Sequence, residues 1–196
     1  MSDSDLRLFV AADIPADARG LIAAGVEKSR GKMPVARWVK AENLHLTIKF
    51  IGSYPEEDVG GLSNELRESG GRCAPFEAAM GGCGAFPSAR RGRVLWVGMT
   101  QGVDGAEAVA RKLDARLEKV GIEREGRPFR GHITLARLKQ PRDCEAVLGD
   151  LGADLAGLPA LTFMVDEIVL CRSILGPQGP TYIAMERIAL GGKPRE

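Results

Sequence analysis

Two short stretches of this 196-residue chain carry the same pattern, His45-Leu46-Thr47-Ile48 and His132-Ile133-Thr134-Leu135. Polar and branched apolar residues alternate in both, which is the period of a strand with one wet face and one buried face. Each histidine therefore shares a face with its threonine, about 6 to 7 Å away. The chain has only two histidines, and both fall in this pattern. Any fold for it needs two half-buried strands, each sealed on its apolar side by another layer.

The flanking segments repeat in a common order. An apolar run at 7–12 predicts a strand, and a helix should follow over 16–28. A short strand is expected at 37–40. The strand over 43–52 should put Leu44, Leu46, Ile48 and Phe50 on one face and His45, Thr47 and Lys49 on the other. Pro55 should open a polar helix to about 69. Strands are predicted at 76–86 and 93–99, around a turn at 87–92 that carries two arginines. Val103, Ala106, Val109, Ala110, Leu113, Leu117 and Val120 recur at helical spacing, with Asp104 and Glu107 resembling a capping box and Gly121 as the stop. The second motif strand covers 132–136, then a helix at 143–150, a long strand at 161–171 and a last one at 181–188. Each half thus holds an apolar strand, a helix and a His-x-Thr strand. That order implies an internal duplication, an α+β fold with antiparallel sheets and helices packed outside.

Imidazoles titrate near neutrality, so two of them can divide one displacement between a general base and a general acid. Threonine hydroxyls can donate to oxygens on which charge grows. In-line attack at phosphorus needs this division, with a proton taken from the entering oxygen and one given to the departing oxygen on the opposite side. Other chemistries find less support. Catalytic zinc usually takes three protein ligands, and two histidines leave a third to come from an unmarked position. Cys73, Cys83, Cys144 and Cys171 form no Cys-x-x-Cys pair and read as reduced thiols, and no Gly-x-Ser-x-Gly is present. A net charge of +1 gives no global attraction to a polyanion, so contact with nucleic acid must come from local basic clusters. The polar, acidic start and the absence of a long apolar run predict a soluble, cytoplasmic protein with no membrane contact.

Four segments together resemble the two-histidine phosphoesterase superfamily, in particular the bacterial and archaeal RNA 2′,3′-cyclic phosphodiesterases once described as 2′-5′ RNA ligases. They are RLFVA at 7–11, WVKAENLHLTIKFIG at 38–52, GAFPSARRGRVLWVG at 84–98 and FRGHITLAR at 129–137. The resemblance implies one bilobal domain over 1–196, two antiparallel sheets with outer helices in pseudo-twofold duplication around a central cleft. The His-x-Thr strands, at about 44–51 and 131–137, would line that cleft. It implies hydrolysis of RNA terminal 2′,3′-cyclic phosphate to a 2′-phosphate, with no metal and no cofactor, and joining of 2′-5′ linkages in some members. RNA ends, tRNA fragments among them, would be the partner, acted on by a monomer. His45 would protonate the leaving 3′-oxygen and His132 would activate water, with Thr47, Thr134 and Arg137 at the phosphate. Arg137 has the wrong parity to share the His132 face of an ideal strand, so it reaches the phosphate only through a bulge. Gly131 stands where the family usually has proline, which predicts a looser second motif.

Phe9, Trp38, Phe86 and Tyr182 are candidate stacking platforms for a terminal base. Arg90, Arg91 and Arg93, then Arg124, Arg127 and Arg130, then Arg137, Lys139 and Arg142 form three candidate basic footprints. The alternatives left open are a phosphodiesterase for small cyclic phosphates or 2′-5′ oligonucleotides, a catalytically weak RNA-binding protein, and a metallohydrolase.

Overall fold

The opening apolar run forms strand β1 (Asp5–Ala12), and Pro15 ends it by leading into helix α1 (Ala16–Arg30). This computed structural model describes residues 5–156, 161–177 and 179–193. The remaining elements are β2 (Arg37–Trp38), β3 (Leu46–Pro55), α2 (Val59–Gly70), β4 (Phe76–Phe86), β5 (Gly92–Gln101), α3 (Val103–Leu117), β6 (His132–Arg142), α4 (Glu145–Ala156), β7 (Leu161–Val165), β8 (Glu167–Gly176) and β9 (Gly179–Ala189).

The strands pair antiparallel in the order β7-β4-β5-β6-β3-β1-β8-β9, with β2 beside β6. Two four-stranded halves meet at a single residue pair, Leu46 with Ile133. The repeat is a strand-helix-strand-helix-strand unit, β1-α1-β3-α2-β4 and then β5-α3-β6-α4-β8, with β2, β7 and β9 as additions. The last strand of each unit crosses to the other half, so β4 pairs with β5 and β8 with β1. That exchange ties the halves together, and the duplication expected from the sequence takes this form.

All four helices cover one face. Ile22 and Val26 from α1, Leu62 and Leu66 from α2, Leu113 and Leu117 from α3, and Leu151 and Leu155 from α4 pack with Leu8, Val10, Leu46, Leu95, Ile133 and Leu135 of the sheet. Burying each such side chain contributes roughly 1.5–3 kcal/mol. The other face carries the motif side chains over a small separate cluster of Phe9, Ala11, Val169 and Cys171, against which Tyr182 packs.

Two elements differ from expectation. The long strand at 161–171 is two strands broken at Asp166: β7 joins β4 in one half, and β8 joins β1 in the other. The burial patterns explain the break, since β7 alternates as an edge strand while Ile168 to Cys171 are buried on both sides. The capping box is also absent. Gly102, with φ near +80°, occupies the cap of α3, and a Cβ there would lie 2.2 Å from the Glu77 carbonyl oxygen. Asp104 falls inside the first turn, where its charge still suits the helix dipole. α3 continues into a 3-10 turn at Glu118–Val120, and Gly121 closes that turn in the left-handed conformation, the stop expected.

Candidate active site

A 3-10 turn at Ala41–Asn43 delivers His45 to the residue before β3, and His132 opens β6. Extending the Leu46–Ile133 register by one residue each way sets Thr47 opposite His132 and His45 opposite Thr134. Opposed Cβ atoms lie roughly 5 Å apart and diagonal ones roughly 7 to 8 Å. Two half-buried imidazoles therefore stand across one small space, each facing the other motif's threonine. Neither threonine hydroxyl has a hydrogen-bond partner among the described residues.

Both rings are anchored alike. Nδ1 of His45 bonds the Asn43 carbonyl oxygen at 2.7 Å, and Nδ1 of His132 bonds the Arg130 carbonyl oxygen at 2.6 Å. A carbonyl only accepts, so Nδ1 carries the proton and Nε2 is left for the cleft. Asn43 is itself held, because its side chain donates to the Pro180 carbonyl at 2.9 Å on the β8–β9 hairpin. The His45 ring centroid lies 4.9 Å from that of Phe9 and 5.0 Å from that of Tyr182, to which the imidazole stands nearly perpendicular. The His132 ring lies 5.0 Å from Phe86 and 6.3 Å from Trp96. Trp96 fits because Gly84 has no side chain; a Cβ there would come within 2.2 Å of the indole.

Burial lowers the pKa of His45 below 6.5, against the Asn43 hydrogen bond that raises it, and the charges of Arg137 and His132 lower it further. Burial likewise lowers His132, opposed by the Arg130 carbonyl and reinforced by Arg137. Arg137 thus acts on both rings, and the register of β6 sets its side chain on their face of the sheet.

A bulge explains how it gets there. Thr134 pairs with Trp96 but Ala136 pairs with Leu95, leaving Leu135 as the extra residue. Side-chain parity flips beyond it, and Arg137 returns to the face of His132 and Thr134. The same bulge recurs in the other half: Thr47 pairs with Ala11 and Lys49 with Val10, with Ile48 extra. Here it overturns the expected faces. Lys49 turns inward, 6% exposed, to an ion pair with Asp114 at 2.6 Å and a hydrogen bond to the Glu123 carbonyl at 2.7 Å. Phe50 turns outward, 62% exposed, 6.5 Å from Phe9 on the cleft side. Phe50 was missed as a site residue, although it follows His45 by five positions as Arg137 follows His132.

The stacking candidates separate accordingly. Phe9 is 4% exposed beneath His45, Phe50 and Tyr182, so it is a floor for the site and offers no free face to a base. Trp38 packs on the core and donates to the Met33 carbonyl at 3.3 Å. Tyr182 stays half-buried beside His45, and burial raises its pKa while Arg137 and Arg7 lower it. Gly131 is pinned, because its carbonyl accepts from Met99 N at 3.0 Å and the Met99 thioether occupies the space a Cβ would need. Several basic residues are spent on the fold: Arg90 pairs with Glu145, Arg124 with Glu118 and Arg127 with Glu125, while Arg93 donates to the Lys139 carbonyl. Among the described residues, no three His, Cys, Asp or Glu side chains cluster as metal ligands would, and no helix is long and apolar enough to cross a membrane.

Comparison with known proteins bears on the family and the fold. The sequence profile of the 2′-5′ RNA ligase superfamily matches residues 15–176. An RNA 2′,3′-cyclic phosphodiesterase of Methanothermobacter thermautotrophicus is 32% identical over 181 residues, spanning 92% of this chain and 97% of that protein. A crystal structure of a Thermus thermophilus protein superposes with a TM-score of 0.79 at 30% identity, covering 96% of this chain and all of that one. E. coli LigT complexed with 3′-AMP superposes with a TM-score of 0.72 at 30% identity, covering 95% and 98%.

Proposed function

The chain belongs to the 2′-5′ RNA ligase superfamily, and on that footing we propose that it hydrolyses the 2′,3′-cyclic phosphate of an RNA end to a 2′-phosphate. The observation that carries the proposal is the pair of Nδ1-anchored imidazoles facing each other with a threonine opposite each.

In this mechanism neutral His132 takes a proton through Nε2 from a water that attacks phosphorus. The new P–O bond forms as the bond to the 3′-oxygen breaks, and protonated His45 gives its Nε2 proton to that oxygen. Thr47 and Thr134 donate to the non-bridging oxygens, and Arg137 balances their growing charge. A bound phosphate anion offsets the Arg137 charge that depresses both histidines, which favours the protonated form of His45 in the complex. In-line geometry puts the nucleoside on the His45 side, where Phe50 and Tyr182 stand, and Phe50 supplies the open ring for the base. A 5′-hydroxyl in place of the water would give a 2′-5′ linkage by the same proton movements. No step calls on a metal or cofactor.

A defined oligonucleotide ending in 2′,3′-cyclic phosphate tests the proposal, with the product isomer identified and a chelator present. The expected product is the 2′-phosphate. His45→Ala and His132→Ala should each lower turnover on the order of 10²-fold or more. Tight binding of the oligonucleotide without turnover would support a binding protein instead.

A further inference from the structure

β2 is two residues long, and its register sets Arg37 directly opposite Arg137. Trp38 turns to the core, so Arg37 faces the other way, on the cleft side with Arg137. Cβ atoms opposed in this manner lie about 4.5–5.5 Å apart. Neither guanidinium has an acidic partner among the described residues. Like charges directly opposite one another destabilise a sheet, and an anion lying between them reverses the sign.

The positive surface continues away from the catalytic centre. Lys139 follows Arg137 by two residues on β6, roughly 7 Å along the strand. Val35, Arg37, Leu138, Lys139, Gln140 and Arg142 line an open hollow of about 230 Å³ that contains no acidic side chain. This contrasts with Arg90, Arg124 and Arg127, each neutralised by a neighbouring glutamate.

We propose that Arg37, with Lys139 and Arg142, forms a second anion site that takes the phosphodiester on the 5′ side of the terminal nucleotide. The enzyme would thereby prefer RNA ends over free nucleoside 2′,3′-cyclic phosphates. The inference rests on the phosphodiesterase function proposed above, and it assigns Arg37 a binding role next to Arg137, which serves the reacting phosphate.

The test compares kcat/KM for a short oligonucleotide ending in 2′,3′-cyclic phosphate with kcat/KM for the corresponding mononucleotide, in the wild type and in Arg37→Gln. The oligonucleotide-to-mononucleotide ratio should fall about tenfold in the variant, the loss of one charge-assisted contact. The slope of log kcat/KM against log salt on the oligonucleotide should shrink by about 0.7, the value for one phosphate on a single strand. An unchanged ratio with an unchanged slope overturns the proposal. A fluorescent oligonucleotide bearing a 2′-phosphate end gives a second readout that needs no turnover: weaker binding by Arg37→Gln supports the site, and equal binding removes it. A wild type that binds this probe yet hydrolyses neither substrate would count against the phosphodiesterase function while the binding comparison still decides the role of Arg37. Thermal melting at low salt should show the variant at least as stable as the wild type, since it relieves a like-charge pair; a lower Tm would mark Arg37 as structural and overturn the assignment.

Discussion

Lys49→Met tests the bulge that organises the first motif. Lys49 is 6% exposed, and its Nζ lies 2.6 Å from Asp114 Oδ1 and 2.7 Å from the Glu123 carbonyl oxygen. Methionine replaces the aliphatic stem, so little cavity is created, and the loss falls on the charge pair. Among the described residues the Asp114 carboxylate would then keep only the Glu125 amide, at 3.4 Å. Removing one partner of a buried pair costs about 3–5 kcal/mol. Asp114 is 17% exposed and can recover some hydration, which places the expected loss at the lower end, about 3 kcal/mol. At about 2–4 °C per kcal/mol for a chain of this size, Tm should fall by about 6–12 °C.

The partner variant makes the prediction sharper. Lys49→Met with Asp114→Leu removes both charges and should recover most of the loss, because apolar replacement of a whole buried pair is often close to neutral. Urea denaturation of the wild type, both single variants and the double variant completes the cycle, with a coupling energy of about 1.5–3 kcal/mol expected. A single variant within about 0.5 kcal/mol of wild type, or a double variant no better than Lys49→Met, would refute the reading of this pair as a buried, stabilising ion pair.

Because burial and Arg137 hold both imidazoles below 6.5, the decline of kcat/KM with rising pH should already begin below pH 6.5, and Arg137→Gln should shift it to higher pH; a profile flat from pH 5 to 9 would contradict paired acid and base roles. The same depressed values predict a loss of stability at low pH: it is absent above pH 6.5 and grows as pH falls, since the unfolded chain takes up protons that the folded histidines resist, and replacing both histidines by glutamine should flatten that part of a pH-dependent urea series. Gly131→Ala should cost about 1–3 kcal/mol by overpacking on Met99, with recovery in the Met99→Ala background, measured by thermal melting. Phe50→Ala should weaken the use of RNA substrate by about 1–3 kcal/mol in kcat/KM while leaving Tm close to wild type, because the ring is mostly exposed.

Much of this arrangement was legible in the sequence wherever period and punctuation agreed. The strand at 76–86, the start of α1 at Ala16 and the left-handed stop at Gly121 emerged as read. The motif histidines and threonines were legible because alternation holds from His45 to Thr47 and from His132 to Thr134. One residue later it fails. The bulges at Ile48 and Leu135 are properties of pairing with β1 and β5, and a strand read alone carries no trace of its partner's register. Arg137 could still be placed by asking what would bring it to the phosphate, whereas Lys49 and Phe50 kept their ideal and incorrect faces. The break at Asp166 escaped for a related reason: both flanks are apolar, and only the assembled sheet shows that they belong to different halves.

The proposed chemistry depends on where the duplication stops being symmetric. His45 matches His132, Thr47 matches Thr134, and each bulge follows one residue later, so the symmetric part supplies two interchangeable proton-transfer groups around one phosphorus. A displacement with water on one side and a ribose on the other needs those groups to differ. The differences lie at positions that the bulges turn toward the cleft, where Phe50 on the His45 side corresponds to Arg137 on the other. They lie also at the neighbouring strand, where Thr47 faces Ala11 and Thr134 faces Trp96. An open aromatic ring suits a nucleobase and a guanidinium suits a phosphate, so in the proposed chemistry the pair Phe50 and Arg137 would orient the substrate before either histidine moves a proton. Exchanging them, Phe50→Arg with Arg137→Phe, should therefore cost far more than the loss of either side chain's contact alone. It would leave both imidazoles in place and present the phosphorus to them the wrong way round, a loss to be read as a fall in kcat on the oligonucleotide with the histidine anchors intact.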